Sequence, residues 1–400
     1  MNANLTRLMA AAQKPARRIV GLMSGTSLDG LDVALCHFAG HGPATRVIVE
    51  HFATVPYQQA VRQEIRRVFA RPEVELQHLT LLHAWLGRLH ADMVLSCLRS
   101  WQVETCEVDA IASHGQTVFH APRHQHGRAG WPNATLQLGD GDHLAVQTGI
   151  LTISDFRQKH VAAGGQGAPL AVYGDYLVFS QPGEDRLLLN LGGIANFTFL
   201  PGTLAATEVF STDVGPGNTL LDAFVREFDP TKSYDEQGAL AAQGRANEAL
   251  LAELLGQPFF GEALPKTTGP ELFSPAYVRA AQQRTGTGHL SPADLLATLT
   301  EFSAAGIALA VTQAFGPTRL LHVYVSGGGL HNPTLLAAIE RRLPQARFAT
   351  TDALGIAPDA KEAVLFAILA NETLAGNPLS IGHGPQQVPA VALGKISFPG

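Results

Sequence analysis

Apolar positions along this chain follow two patterns, short runs that end at glycine-rich turns and longer runs with helical spacing. An apolar run from residue 18 enters a Gly/Ser/Thr turn and leaves it as an alternating run, and a run from residue 186 does the same around Gly192 and Gly193. Short β-rich runs on both sides of a turn that needs glycine predict a β-hairpin. Each segment is therefore predicted to be a hairpin that opens a new sheet.

Helical spacing is clearest between residues 76 and 98, where leucines recur on one face and predict an amphipathic helix. Two further long helices are predicted at 293–315 and 360–375, and residues 110–120 are predicted to form a strand that runs into a polar turn. Strands that alternate with helices indicate an α/β protein. The two hairpin-led halves predict duplicated α/β domains that face each other across a cleft for nucleotide and substrate.

The domain division follows from the length, because 400 residues exceed the usual size of a single hydrophobic core. The first domain is predicted to comprise 17–155 together with about 384–400, and the second to comprise 156–383. Residues 1–16 are expected to be a frayed extension. Residues 121–132, rich in proline, histidine and glycine, are expected to form an exposed loop.

Composition narrows the classes of function. The chain is 46% apolar and 16% charged, which predicts a large buried interior. A net charge of −6 without a basic stripe argues against nucleic acid or an anionic membrane as partner, and Arg17–Arg18 is interpreted as the end of the extension. No apolar run of membrane-spanning length is expected. Three cysteines without metal-binding spacing favour a reducing compartment, the cytoplasm.

The first candidate for chemistry is the turn in GLMSGTSLDGLD, residues 21–32. Small residues let backbone N–H groups approach phosphate oxygens, and hydroxyl groups add donors. Asp29 and Asp32 are expected to hold Mg²⁺ through waters. The alternative is a hairpin turn without a ligand. The predicted phosphate-binding residues are Gly25, Thr26, Ser27, Leu28, Asp29, Gly30, Leu31 and Asp32.

Two further glycine-rich elements follow. DVGPGN, residues 213–218, lies between a predicted strand and a helix that begins near Thr219, where a helix N-terminus favours phosphate. Asp213 is expected to act as a general base, or alternatively to cap this turn. SGGG at 326–329 offers a wall without side chains for adenine or ribose, and Asn332 is predicted to cap the next helix. The nucleotide-binding candidates here are Gly215, Gly217, Asn218, Gly327, Gly328 and Gly329.

This order of motifs resembles the sugar kinase, actin and heat-shock chaperone superfamily, and within it the anhydro-N-acetylmuramic acid kinase family. The segments similar to that family's signatures run in its order from about residue 19 onward: GLMSGTSLDGLD, SHGQT, LQLGDGD, DFR, AGGQGAPL, NLGGIAN, DVGPGN, YDEQG, PKTTG and SGGG. The resemblance implies two ribonuclease H-like, actin-like ATPase domains with mixed sheets. It also implies that ATP and water convert 1,6-anhydro-N-acetylmuramic acid into N-acetylmuramic acid 6-phosphate, a step of peptidoglycan recycling.

The resemblance also implies roles for single residues. Asp213 matches the family's catalytic base, which would activate water at the anomeric carbon while the freed oxygen takes the γ-phosphoryl group. Arg157 is expected to bind the lactyl carboxylate with its guanidinium. For His114 and Asp155 the alternative is that they orient Arg157 or the backbone. The predicted sugar-binding residues are Ser113, His114, Gln116, Asp155 and Arg157.

Two positions depart from the family pattern, His160 where many relatives carry an aspartate and Pro270 where an arginine is common. Glu362 is expected to complement a helix N-terminus rather than to contact the nucleotide. Two other functions stay open, a kinase for another small sugar or polyol on the same fold and a sugar sensor without turnover. The expected partner is a small-molecule sugar, and a homodimer is one of the open oligomeric states.

Overall fold

The computed structural model describes residues 2–25, 27–168, 170–269, 271–382 and 387–400. Thr26, Pro270 and the predicted boundary at 383–384 lie outside these residues. The chain divides into two compact units, a first unit of Met1–Phe179 with Gly355–Gly400 and a second unit of Ser180–Leu354. The other predicted boundary, at residue 155, falls inside the first unit.

The first unit begins with one helix and a three-stranded meander: α1 (Ala3–Gln13), β1 (Ala16–Ser24), β2 (Gly30–Ala39) and β3 (Arg46–Pro56). Two helices and a long strand follow: α2 (Gln59–Arg66), α3 (Leu76–Ser100) and β4 (Ala110–Ala121). Shorter elements complete this stretch: α4 (Arg123–His126), β5 (Ala134–Leu138), α5 (Gly141–Thr148), β6 (Thr152–Ser154), α6 (Phe156–Ala162) and α7 (Ala171–Phe179).

The second unit also begins with a meander: β7 (Arg186–Leu191), β8 (Ile194–Leu200) and β9 (Phe210–Pro216). Five helices and two strands follow: α8 (Thr219–Phe228), α9 (Glu248–Leu255), α10 (Pro275–Thr285), α11 (Pro292–Phe315), β10 (Leu321–Ser326), α12 (Pro333–Arg342) and β11 (Ala346–Thr350). The chain then returns to the first unit with α13 (Lys361–Ala375) and β12 (Lys395–Ser397).

The two units share one sheet plan. In the first, β1, β2 and β3 are antiparallel neighbours, β4 is parallel to β1 and β6 is parallel to β4, with β12 beyond β6 and β5 paired to β4. In the second, β7, β8 and β9 are antiparallel neighbours, β10 is parallel to β7 and β11 is parallel to β10. The repeated order and directions confirm the predicted α/β class, with duplicated mixed sheets of the ribonuclease H-like plan.

Local sequence signals locate most of these elements. The hairpins β1–β2 and β7–β8 are antiparallel as predicted, and α3, α11 and α13 lie within a residue or two of the predicted bounds. Asn332 caps α12, since its side chain accepts a hydrogen bond from the N–H of Leu335 at 3.0 Å. The strand predicted at 110–120 is confirmed as β4, and the polar residues 113–117 lie within it.

Helix α11 is long and apolar enough to span a membrane by length and composition, contrary to the expectation that no such run exists. In the structure 83% of its most apolar stretch is buried inside the second unit. It contributes to both apolar clusters there, one with the sheet and α12 and one with α8, α9 and α10. The helix is therefore a core element, because its apolar surface is covered by protein.

The first residues are not the frayed extension that the sequence suggested. Residues 3–13 form α1, which packs against α13. Arg17, interpreted as the end of a tail, is only 2% exposed. Its guanidinium donates to Asn371 Oδ1 at 2.8 Å and to the carbonyl oxygens of Gly40 at 3.0 Å and Lys14 at 2.5 Å. A buried cation needs such partners, so Arg17 fixes the start of β1 against α13.

Gly21 allows the closest approach between the first sheet and α13. A Cβ atom built at this position would lie 2.0 Å from the carbonyl oxygen of Ala363 and 3.1 Å from the Cβ of Ala367. Helix α13 packs across β1, β2 and β4, and its residues from Ala363 to Asn371 are buried. Glycine at position 21 thus lets the helix backbone lie directly on β1.

We expect the substitution Gly21→Ala to destabilise the protein, because its methyl group would occupy the position of a backbone oxygen. Overpacking of this kind costs about 1–3 kcal/mol or more. Urea unfolding would measure the free energy of unfolding, with Gly288→Ala as control, since a Cβ at Gly288 meets nothing within 4 Å. Equal unfolding free energies for the two variants would contradict the role of Gly21.

Candidate functional site

A cavity of about 460 Å³ opens in the first unit beside the end of β1. Its lining combines the predicted phosphate hairpin with predicted sugar-binding side chains: Met23, Ser24, Gly25, Ser27, His114, Thr117, His120, Thr135, Arg157, Ala168 and Glu362. Residues far apart in sequence meet here because β1, β4, α6 and α13 converge on one end of the sheet. The volume is within the usual range for a small-molecule site.

Arg157 is held on two sides. Its Nε donates to His114 Nε2 at 2.8 Å and its Nη1 donates to the carbonyl oxygen of Gly167 at 2.7 Å. Burial, and then the positive charge of Arg157, holds the pKa of His114 well below its ordinary value, so the imidazole is a neutral acceptor. His114 is therefore placed to orient Arg157, one of its two predicted roles, and both side chains line the cavity. Contact of His114 with the sugar stays a prediction.

Glu362 lies in the first turn of α13 and also lines the cavity. Burial raises the pKa of Glu362, while the nearby charge of Arg157 opposes that rise. The sequence interpretation as a helix N-terminal charge was therefore incomplete. The helix role was preferred from the sequence because glutamate is common in a first helical turn.

His160, one of the two departures from the family pattern, supports the same part of the cavity. Its Nδ1 accepts a hydrogen bond from the N–H of Gly167 at 2.9 Å, and the carbonyl of Gly167 in turn accepts from Arg157. Burial lowers the pKa of His160 to about 4, so it accepts as a neutral ring. Histidine thus provides a neutral acceptor for the backbone at this position.

Three predicted sugar-binding residues do not belong to the described lining of the cavity. Ser113 and Gln116 are buried in β4, and Gln116 bonds to Ser24 and to the carbonyl of Gly25. Asp155 has a left-handed backbone with φ of 58° and pairs with the ammonium group of Lys395. Their positions suit a supporting role around the cavity.

The predicted phosphate hairpin divides into exposed and buried parts. Gly25 and Ser27 line the cavity, whereas the side chains of Leu28 and Leu31 are 3% and 1% exposed and belong to the apolar core. Only the backbone of those two leucines can reach a ligand. Gly30 is required by packing, because a Cβ there would lie 2.3 Å from the carbonyl oxygen of Val55.

The two predicted magnesium ligands occupy the end of this hairpin. Asp32 Oδ1 accepts a hydrogen bond from Thr54 Oγ1 at 2.6 Å, and the Asp29 side chain is exposed. Burial raises the pKa of Asp32. The hydrogen bond from Thr54 opposes that rise, and the negative charges of Asp359 and Asp29 add to it. Among the described residues no group of three or more His, Cys, Asp or Glu is placed to hold a metal. Two hard carboxylates nevertheless suit Mg²⁺, which keeps most of its waters.

In the second unit, the predicted anion site at the start of α8 is partly occupied by the protein itself. The N–H groups of Gly217 and Asn218 donate to the carbonyl oxygens of Gly193 and Gly192, both at 2.8 Å. Gly215, with φ of 137°, lies beside the ring of Phe260. These two amides join the turn to the β7–β8 hairpin, and the binding of nucleotide by Gly215, Gly217 and Asn218 stays a prediction.

The triple-glycine loop packs on the same hairpin. A Cβ at Gly327 would lie 2.6 Å from Asn190 Oδ1, and one at Gly329 would lie 2.6 Å from the Cβ of Leu191. At Gly328 the nearest atom would be 3.8 Å away, Nδ2 of Asn218. Gly327 and Gly329 are thus needed for packing. At Gly328 the backbone has free space beside it, as the predicted wall for adenine or ribose requires.

Asp213 lies in β9 beside a bulge in the β8–β9 pairing. Its Oδ2 accepts from the N–H of Thr268 at 2.9 Å, and its own N–H donates to the carbonyl of Lys266 at 3.0 Å. Burial raises the pKa of Asp213, with the Thr268 hydrogen bond opposing that rise. A half-buried carboxylate with a raised pKa suits a general base.

Lys266 supports the segment that contacts Asp213. Its side chain is 7% exposed, and its Nζ donates to the carbonyl of Phe259 at 2.7 Å and lies 4.4 Å from the centre of that ring. Burial lowers the pKa of Lys266. The PKTTG motif marked this segment, but no role for Lys266 or Thr268 could be assigned without the contacts.

The repeated sheet plan, with glycine-rich turns at its strand ends, defines the class of the protein as a duplicated ribonuclease H-like α/β protein. The model of the family described as "Anhydro-N-acetylmuramic acid kinase" matches residues 17–399. The anhydro-N-acetylmuramic acid kinases of Pseudoalteromonas atlantica and Pseudoalteromonas translucida are 54% and 51% identical, over 100% of both chains in each case. The chain therefore belongs to the anhydro-N-acetylmuramic acid kinase family, and it is a kinase.

More distant proteins also match over most of the length of both chains. The anhydro-N-acetylmuramic acid kinase of Caldanaerobacter subterraneus is 38% identical over 98% of this chain and 100% of that one. Among solved structures, the activator of 2-hydroxyisocaproyl-CoA dehydratase from Clostridium difficile, with bound ADPNP, aligns with a TM-score of 0.40 and 11% identity, over 89% of this chain and 95% of that chain. That structural likeness adds nothing to the family assignment.

We expect Lys266→Met to lower the free energy of unfolding by about 1–3 kcal/mol, because the carbonyl of Phe259 would lose its buried donor. Urea unfolding of this variant would be compared with that of Lys232→Met, whose lysine is exposed in the same unit. If both variants unfolded like the unchanged protein, the buried ammonium group would have no structural role.

Proposed function

We propose that this protein uses ATP and water to convert 1,6-anhydro-N-acetylmuramic acid into N-acetylmuramic acid 6-phosphate and ADP. The proposal rests on family membership across residues 17–399 and on one structural observation. That observation is the first-unit cavity, in which the phosphate hairpin, Arg157 and Glu362 line a single space. Such a space suits an acidic sugar beside a transferable phosphate.

The sugar would be recognised by charge and hydrogen bonding. Arg157, fixed by His114 and Gly167, is suited to bind the lactyl carboxylate, because a guanidinium offers several donors in one plane. Glu362 can accept from a sugar hydroxyl. Gln116 acts in this proposal through Ser24 and the carbonyl of Gly25, to which it bonds. Ser113 and Asp155 stay predicted contacts of the sugar.

Residues 25–32 are the proposed contacts of the ATP phosphates, and Gly327, Gly328 and Gly329 are the proposed contacts of its adenosine. Backbone N–H groups and the hydroxyl of Ser27 are the donors available in the described part of the hairpin. Asp29 and Asp32 would hold Mg²⁺ through waters, and that ion neutralises charge on the phosphate oxygens. Gly215, Gly217 and Asn218 would shape the site by holding the β7–β8 hairpin.

The chemistry couples a hydrolysis to a phosphoryl transfer. Asp213 takes a proton from water as the water oxygen bonds to the anomeric carbon. The bond from that carbon to O6 breaks, and O6 attacks the γ-phosphorus, so that ADP leaves. The base acts on the face opposite the departing oxygen, as in an inverting glycosidase. Holding the reactants in register supplies much of the rate.

The cellular location, pathway and partners of this activity are also part of the proposal. We place the enzyme in the cytoplasm, in peptidoglycan recycling, with a small-molecule sugar and ATP as its partners and without nucleic acid or membrane. Net charge of −6 and the absence of a basic stripe in the sequence support this setting. A homodimer is compatible with it.

The proposed function is tested by ADP release with three sugars, the anhydro sugar, N-acetylmuramic acid and N-acetylglucosamine. Only the anhydro sugar should support rapid release. In water enriched with ¹⁸O the label should enter the product at the anomeric carbon, once exchange during workup is subtracted. Equal release with the plain sugars would instead favour an ordinary hydroxyl kinase, and absence of label would exclude attack by water.

We expect Asp213→Asn to reduce kcat by about 10²–10⁴-fold, because an amide cannot take the proton. Its oxygen can still accept from Thr268, so the unfolding temperature should not fall. In the unchanged enzyme the raised pKa of Asp213 should place the acid limb of the kcat profile above the pKa of an ordinary aspartate, with activity lost as pH falls through it.

Asp185→Asn is the matched control in the second unit. Asp185 accepts from the N–H of Gly202 and pairs with Arg319, so its loss should affect stability and leave kcat unchanged. Near-normal turnover by Asp213→Asn would remove Asp213 from the mechanism.

A further inference from the structure

A chain of four buried polar side chains lies behind the phosphate hairpin. It runs from His90 on α3 through Tyr57, which follows β3, to Ser24 at the end of β1 and Gln116 in β4. The distances are 2.7 Å from His90 Nε2 to the Tyr57 hydroxyl, 2.9 Å from that hydroxyl to Ser24 Oγ and 2.5 Å from Ser24 Oγ to Gln116 Oε1. None of the four is more than 2% exposed.

The contacts of Gln116, at one end of this hydrogen-bonded chain, determine the direction of every bond in it. The Gln116 amide nitrogen donates to the carbonyl oxygens of Gly25 and Thr117, both at 3.2 Å, so Oε1 must face Ser24. Ser24 therefore donates to Gln116 and accepts from Tyr57. Because Tyr57 has one hydroxyl proton, its oxygen accepts from Nε2–H of His90.

His90 is suited to start such a chain. Burial lowers its pKa to about 4, so the ring is neutral near pH 7. With the proton on Nε2, Nδ1 is an acceptor that has no partner among the described residues. The bonded chain therefore polarises in one direction, from His90 toward Gln116.

The hydrogen-bonded chain ends at residues that line the proposed ligand site. Ser24 and Gly25 line the first-unit cavity, and Gly25 is the first residue of the phosphate hairpin. The bond from Gln116 to the Gly25 carbonyl fixes the direction of that carbonyl at the start of the hairpin. Small errors in donor position strongly weaken recognition of a phosphate.

We propose that His90 and Tyr57 are positioning residues for ATP, which act through Ser24 and Gln116 to set the backbone of the phosphate hairpin at Gly25. This inference rests on the proposed function, since it takes the hairpin as the phosphate site. Neither side chain contacts the nucleotide. Their role is to hold a backbone that does.

A purely structural role would not need these polar groups. The ring of Tyr57 packs in the apolar cluster of the first unit with Val61, Leu86 and Leu31. Phenylalanine would fill the same volume, and an apolar core without the network would be at least as easy to stabilise. The polar chain is therefore explained by the precision it gives to the hairpin.

The test is Tyr57→Phe in the full-length enzyme, which removes one oxygen atom. The KM for ATP should rise about five- to tenfold, the size expected for loss of the one hydrogen bond that Tyr57 donates to Ser24, while the KM for the anhydro sugar stays within about twofold. Tyr277→Phe is the matched control, because that partly buried hydroxyl bonds to the carbonyl of Leu254 in the second unit. It should leave both KM values unchanged.

Two variants of His90 test the chain itself. His90→Gln keeps an N–H donor near the position of Nε2 and should retain most ATP affinity, whereas His90→Leu should resemble Tyr57→Phe. Because both residues act through one chain, the double variant Tyr57→Phe with His90→Leu should be no worse than Tyr57→Phe alone. Additive losses would overturn the inference, and so would a Tyr57→Phe enzyme with unchanged KM for ATP.

Binding of a non-hydrolysable ATP analogue, measured by titration calorimetry, separates this inference from the proposed function. If the unchanged protein binds the analogue but does not phosphorylate the anhydro sugar, the proposed function fails, and weaker binding by Tyr57→Phe still supports the positioning role. If the protein turns over the sugar and Tyr57→Phe binds the analogue normally, the positioning role fails alone.

Discussion

The direct contact between β1 and α13 is the constraint on which the first unit depends. Glycine at position 21 lets the carbonyl of Ala363 lie where any side chain would be. The helix therefore rests on the sheet, and its first turn brings Glu362 into the cavity that Ser24, Gly25 and Arg157 also line. Any larger residue at position 21 would move the helix and with it a wall of the cavity.

Elements with a local signal could be predicted from the sequence, and elements fixed by distant partners could not. The two hairpins, α11, α13 and the cap at Asn332 each follow from spacing or a single residue type. Arg17 was misread because its partner Asn371 lies 354 residues away. The helix at residues 3–13 was missed for a similar reason, since its support comes from α13.

At the candidate site, residue types were easier to predict than their directions. His114 and Gln116 would share one face of a regular strand, yet His114 lines the cavity while Gln116 does not. Gly115, with φ of 74°, and the shifted register between β1 and β4 break that alternation. Likewise the amides at 217 and 218 were expected to be free, and only the contacts with Gly192 and Gly193 show that they are used within the unit.

The order of the chain has a consequence for biosynthesis. The second unit is one continuous stretch, Ser180–Leu354, inserted between the two parts of the first. During translation at about 5–20 residues per second, the inserted unit can fold while β1 still lacks α13. The polypeptide therefore emerges from the ribosome with an open-sided sheet, and Glu362 reaches the cavity only after the rest of its wall has been made.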